Sequence, residues 1–121
     1  MQRLTLHIPE VLRDGTPVPP QLHASYEDEL LDIALDATLE SGVGEPGLTI
    51  VGNVVGAWQA PDGTRHRESM RLLIVDVANS QGLVEHVLRL VDRIRDELDQ
   101  YSVYVTATAV EAMTVTGYVA A

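Results

Sequence analysis

Residues 48–77 read LTIVGNVVGAWQAPDGTRHRESMRLLIVDV, two long extended runs on either side of Pro61-Asp62-Gly63. An Asp-Gly pair between runs rich in valine, isoleucine and leucine is typical of a β-hairpin. A two-residue turn at Asp62-Gly63 predicts that Trp58 lies opposite Arg67 and that Arg71 lies on the same face of the hairpin.

Both faces of this hairpin are apolar near its middle. Leu73 and Val75 fall on one face, and Leu72 and Ile74 fall on the other. An antiparallel sheet with one hydrated face should alternate cleanly between apolar and polar residues. The two predicted helices can cover one face of the sheet. A chain of this length has no further element to cover the second face, so another subunit must cover it. The pattern therefore predicts a homo-oligomer that associates through the sheet face not covered by helices.

The segments around the hairpin complete a small α+β domain, and they predict the following order of elements. The predicted elements are a strand at 2–9, a helix at 26–41, strands at 47–60 and 64–78, a helix at 81–99, a strand at 101–110 and a short C-terminal strand at 113–119. This β-α-β-β-α-β order is the ferredoxin-like pattern, with an antiparallel sheet and both helices on one face. A length of 121 residues fits one domain, residues 1–121.

The boundaries of the two helices follow from capping and periodicity. Ser25 is the expected N-cap of the first helix, with Asp28 in the capping-box position, which leaves residues 10–24 as a long proline-containing loop. Apolar residues at helical spacing predict the buried stripe of the second helix. That stripe consists of Val84, Val87, Leu88, Val91, Ile94 and Leu98.

Composition narrows the possible partners. The formal net charge is −10, which disfavours nucleic acid as a partner, and all eight basic residues are arginines. The absence of cysteine excludes disulfides and thiol chemistry. The N-terminal residues do not resemble a signal peptide and no run is long enough to span a membrane, so we expect a cytoplasmic protein with no membrane partner.

The sequence contains no recognisable catalytic motif. There is no phosphate-binding loop and no nucleophile elbow, so no catalytic residue is predicted. The histidines share no metal-ligand spacing, and we therefore expect ordinary surface histidines, no metal and no cofactor. They are His7, His23, His66 and His86.

The densest basic stretch, residues 64–71, suggests a ligand site. An indole beside two guanidinium groups can hold a planar carboxylate or a phosphate. The candidate ligand-binding residues are Trp58, Arg67, Arg71 and Glu68. The alternative is a solvated hairpin tip whose arginines are matched by nearby acids.

Short motifs along the chain resemble an uncharacterised bacterial family of small ferredoxin-like domains. The motifs are Gly56-Ala57-Trp58-Gln59, Asp62-Gly63, Arg67-Glu68-Ser69, the apolar run Leu72-Leu73-Ile74-Val75, and Gln100-Tyr101-Ser102-Val103. The resemblance implies the same fold and directs attention to Trp58, Arg67, Glu68 and Gln100 as one cluster. It implies no activity.

Three functions agree with these observations. The first is a small acidic, homo-oligomeric binding or accessory domain without catalytic machinery, with a possible protein partner. The second is a small enzyme or ligand-binding protein of the dimeric α+β barrel type, with a cavity between sheet and helices. The third is an acidic inhibitor that mimics nucleic acid and occupies a nucleic-acid groove on another protein; a contiguous acidic face would favour it.

Overall fold

A computed structural model describes residues 1–42, 47–78 and 81–111. The elements are strand β1 (Gln2–Pro9), helix α1 (Pro20–Ser41), strands β2 (Thr49–Gln59) and β3 (Arg65–Val77), helix α2 (Gln81–Glu97) and strand β4 (Tyr104–Ala109). This is the β-α-β-β-α-β order that the sequence predicts. The short C-terminal strand predicted at 113–119 lies outside the described residues.

The strands form one antiparallel sheet in the order β2-β3-β1-β4. Alternate residues of β1 and β3, among them Leu6, Ile8, Leu73 and Val75, are buried in the same cluster as the apolar residues of both helices. Both helices therefore cover one face of the sheet, and the ferredoxin-like α+β prediction is confirmed. We call the opposite side the open face.

Helix α2 packs on the sheet through a stripe rotated slightly from the predicted one. The buried residues of this stripe are Leu83, Val87, Leu90 and Ile94, and Leu98 continues it just after the helix ends. Val84 and Leu88, which the periodicity also assigned to the stripe, are exposed, and Val91 is only partly buried at its edge. Two neighbouring rows of apolar residues run along this helix, and packing against the sheet determines which of the two rows is buried.

Helix α1 begins at Pro20, earlier than the predicted start at 26. Pro19 is the N-cap, and Pro20 occupies the first helical turn, where a missing backbone N–H costs nothing. Ser25 consequently lies inside the helix, where its hydroxyl accepts a hydrogen bond from Arg93 at 3.2 Å. The loop predicted at 10–24 is shortened accordingly.

The register of the β2–β3 hairpin differs from the predicted one, because the turn contains three residues. Ala60 N donates to Thr64 O at 2.8 Å, and Gly63 has a φ of 89°, the left-handed conformation that such turns require. Trp58 therefore pairs with His66 instead of Arg67. A one-residue slip moves every side chain to the opposite face. Trp58 thus lies on the open face, whereas Arg67 lies on the helix face.

A second irregularity follows in β2, between Val51 and Val54. Asn53 has a φ of 57°, and its backbone N–H donates to Glu10 Oε1 at 2.7 Å. This bulge changes the register again, so that Val51 pairs with Leu72 and Val54 pairs with Met70. The apolar row at the middle of the open face consequently contains Val51 and Leu72.

Candidate functional site

The β2–β3 hairpin extends beyond the rest of the sheet. The last pair between β1 and β3 joins Pro9 to Met70, so residues 55–69 continue past the end of β1. We call residues 55–69 the hairpin arm. Residues 100–104, which follow helix α2 and lead into β4, lie beside this arm.

A cavity of about 650 Å³ opens where the arm leaves the open face. The arm and β3 contribute side chains to one side of it, and β1 and the segment before β4 contribute to the other. The residues that define its character are His7, Trp58, Glu68, Met70, Tyr101 and Tyr104. Aromatic walls with a few polar groups are typical of sites that bind small organic molecules.

Trp58 is held in a defined orientation in this cavity. Its indole stacks on the His66 ring, with 4.3 Å between centroids and 17° between planes. Its Nε1 donates a hydrogen bond to Glu68 Oε1 at 2.8 Å. The side chain is nevertheless half exposed, so a preoriented aromatic surface is available to a ligand.

Gly56 has no side chain, which leaves space for the Met70 side chain beside the cavity. A Cβ placed on this residue would come within 2.6 Å of Met70 Sδ. The glycine of the Gly-x-Trp motif therefore has a packing role beside the tryptophan, because any side chain there would displace the thioether of Met70 or fill the cavity.

His7 and Tyr104 form the side of the cavity that faces the arm. Their rings lie 5.0 Å apart in a tilted arrangement. Burial lowers the pKa of His7 below its ordinary value of 6.5, so the imidazole is predominantly neutral at pH 7. This side of the cavity therefore offers aromatic surface without a positive charge.

A second cavity, of about 350 Å³, adjoins the first and is basic. Arg13, Arg67 and Ser69 line it, and it shares Glu68 and Gln100 with the aromatic cavity. Within the described part of the chain, the Arg67 side chain forms no hydrogen bond or ion pair, and the Arg13 side chain has only a distant contact with Asp99 at 3.9 Å. Both guanidinium groups are therefore available to an anion.

Arg71 is separated from this site. It lies on the helix face, where its Nη2 and Nε contact Glu27 Oε1 at 2.6 and 2.8 Å. The predicted arrangement of Trp58, Arg67 and Arg71 on one face is therefore wrong, because it depended on the register of the two-residue turn. Of the four predicted ligand-binding residues, the structure places Trp58, Arg67 and Glu68 at the joined cavities.

His23 is a buried group that the sequence did not identify. It lies in the first turn of α1 with 9% of its surface exposed, and its Nδ1 has no hydrogen-bond partner among the described residues. Burial lowers the pKa of His23, and the nearby Arg71 guanidinium lowers it further. The expectation that all histidines are ordinary surface residues is wrong for His23, because helix α1 begins early enough to bury it.

Tyr101, Tyr104 and Arg13 were also missed as site residues. The resemblance grouped Gln100 with Trp58 and so pointed to the correct segment, but nothing in the sequence marked Tyr101 or Tyr104 as residues that line the cavity. Arg13 belongs to a loop, and nothing in its neighbours predicts its proximity to Arg67.

Within residues 1–42, 47–78 and 81–111, no group of three or more histidine, aspartate or glutamate side chains is arranged to hold a metal ion. Neither helix, over its described residues, has the length and apolar character needed to cross a membrane.

Comparison with known proteins identifies the fold class. No protein-family model and no curated protein sequence matches the chain. Among solved structures, a phage SAM lyase in the apo state is similar, with a TM-score of 0.57, 15% identity, and coverage of 97% of this chain and 91% of that chain. CutA1 from Oryza sativa has a TM-score of 0.57 and 12% identity, and the match covers 93% of this chain and 82% of that one.

The phage SAM lyase was also solved in complex with S-methyl-5′-thioadenosine, and that structure has a TM-score of 0.54 and 14% identity over 88% of this chain and 79% of that chain. At such low identities these similarities show a common ferredoxin-like fold alone. Membership of the uncharacterised bacterial family, as distinct from the fold, stays a prediction.

Proposed function

We propose that this protein is a small, homo-oligomeric binding domain that takes up a planar small molecule in the aromatic cavity beside the hairpin arm. The observation that carries the proposal is the fixed orientation of Trp58. Stacking on His66 and the hydrogen bond to Glu68 hold the indole in place while half of its surface stays exposed. Preorganised aromatic surface reduces the entropic cost of binding a flat ligand.

The alternative of a cavity between sheet and helices receives no support from the packing. That space is filled by buried aliphatic side chains and by Tyr26. The cavities described above lie at the open face and at the end of the sheet. We therefore favour a binding function at the surface of the sheet over a barrel-type enzyme.

Self-association is the second part of the proposal. Val51 is more than one-third exposed on the open face, and its partner Leu72 and the neighbouring Ile74 are only partly covered. A second copy of the chain on this face would bury the apolar row and would approach the cavity, because both lie on the same side of the sheet. The cytoplasmic location stays part of this proposal.

Trp58 provides the test of ligand binding, since it is the only tryptophan in the chain. The panel of probes consists of S-methyl-5′-thioadenosine, which binds the phage SAM lyase of similar fold, together with other nucleosides and simple aromatic compounds. We expect at least one probe to change the Trp58 emission with a Kd of roughly 1 mM or lower.

The variant that tests the location is Gly56→Leu, which fills the cavity without removing a polar group. We expect it to abolish binding of the active probe. The matched control is Gly82→Ala in helix α2, where an added Cβ meets nothing within 4 Å. A panel without any effect on the emission, or a Gly56→Leu variant with unchanged affinity, would contradict the proposal.

A further inference from the structure

The two adjoining cavities differ in chemistry. The larger one presents Trp58 and two tyrosines, and the smaller one presents Arg13 and Arg67. They share Pro9, Glu68 and Gln100 as lining residues, so a single ligand can extend from one into the other. The ligand that matches both must carry an aromatic ring at one end and a different group at the other.

The smaller cavity selects an anion. The exposed side chain of Arg67 has no partner among the described residues, and the side chain of Arg13 has only the 3.9 Å contact with Asp99. Arg65 and Arg89 likewise form no ion pair among the described residues, but neither lines a cavity. What suits Arg13 and Arg67 to an anion is therefore their position in one cavity wall together with the lack of a close acidic partner. Guanidinium groups bind phosphate and carboxylate through paired N–H donors. Ser69 and Gln100 add hydrogen-bonding groups at the same place.

Glu68 limits what can lie between the two ends. It is the acidic residue on the described lining of both cavities, and its Oε1 accepts the indole hydrogen bond of Trp58. A ligand anion beside this carboxylate would be repelled, whereas a hydroxyl or amine could donate a hydrogen bond to it. The middle of the ligand must therefore carry a hydrogen-bond donor.

We propose that the natural ligand is a molecule of nucleoside-monophosphate type: a planar base at Trp58, a hydroxyl-bearing sugar at Glu68, and an anionic group at Arg13 and Arg67. This inference rests on the proposed binding function and adds the ligand class. The same arginines can accept a phosphate or a carboxylate, and the experiment distinguishes these two anions.

The experiment is isothermal titration calorimetry on the full chain with three probes that share one base and one sugar. The probes are adenosine, adenosine 5′-monophosphate and adenosine 5′-carboxylate. We expect at least one of the two anionic probes to bind roughly tenfold or more tightly than adenosine, an advantage that increasing salt reduces. The tighter of the two identifies the anion.

The double variant Arg13→Ala/Arg67→Ala should lower the affinity for the anionic probe to that for adenosine. Both side chains are exposed, so the fold should persist, which far-UV circular dichroism checks. The charge-matched control is Arg65→Ala/Arg89→Ala, since neither of these exposed arginines is among the residues lining the two cavities. The control should keep the preference for the anion.

Three results would overturn the inference. If adenosine and both anionic probes bind with the same affinity and Gly56→Leu abolishes all three, the aromatic site stands and the anion site is wrong. If none of the three binds while another aromatic compound changes the Trp58 emission, the ligand class is wrong and the binding function stands. If no compound binds at all, both proposals fail.

Discussion

His23 is a histidine whose ionisation is affected by its burial in the first turn of α1. Burial lowers its pKa below 6.5 and so does Arg71, while Glu27 and Glu10 act in the opposite direction. Burial also lowers the pKa of His7. The unfolded chain therefore binds protons at these histidines at a higher pH than the folded chain. As the pH falls below about 6.5, the free energy of unfolding falls with it.

We expect the wild-type protein to melt at a lower temperature at about pH 5 than at about pH 7.5. The aspartates whose pKa values are lowered have ordinary values of 3.8 and do not contribute in this range. The variant His23→Gln should show a smaller difference between the two melting temperatures. His86→Gln is the control, because His86 is exposed on α2, and it should retain the full difference. Equal differences in all three proteins would show that His23 does not titrate as described.

At the scale of the element, helix α2 separates a buried stripe from an exposed one. Leu90 is 1% exposed, whereas Leu88, two residues earlier, is 55% exposed. We expect Leu90→Ala to lower the free energy of unfolding by about 2–4 kcal/mol, because it leaves a cavity beneath the helix. Leu88→Ala should change it by less than about 0.5 kcal/mol.

Urea unfolding followed by circular dichroism measures both values. The pair is informative because both leucines belong to one helix and undergo the same substitution. A similar loss in the two variants would mean that the helix presents a different face to the sheet, and the packing described above would be wrong.

At the scale of the whole molecule, the apolar row on the open face bears on the oligomeric state of the protein. We expect the protein to sediment as an oligomer at about 50 µM, and Leu72→Asp to shift it towards the monomer, because a carboxylate in an apolar interface is costly to desolvate. Leu88→Asp is the control, since it adds the same charge on the exposed face of α2. A wild-type monomer at this concentration would contradict self-association.

Much of the fold could be predicted from the sequence because it depends on local patterns. The alternation in β1, the apolar stripe of α2 and the Asp-Gly turn determine which segments are strands and helices, and their order then defines the ferredoxin-like sheet. The family resemblance also directed attention to Trp58, Arg67, Glu68 and Gln100, although Trp58 and Arg67 lie on opposite faces of the hairpin. Each of the four lines at least one of the two adjoining cavities.

The faces of the hairpin were decided only by the tertiary structure. Whether Asp62-Gly63 forms a two- or a three-residue turn depends on small backbone differences, yet one residue of slip exchanges the two sides of the arm. It moved Trp58 away from Arg67 and stacked it on His66. Likewise, the approach of Arg13 to Arg67 and the burial of His23 arise from contacts between distant segments, which no local pattern encodes. The sequence determined the elements and their order because these are local properties, whereas the ligand site depends on register and packing.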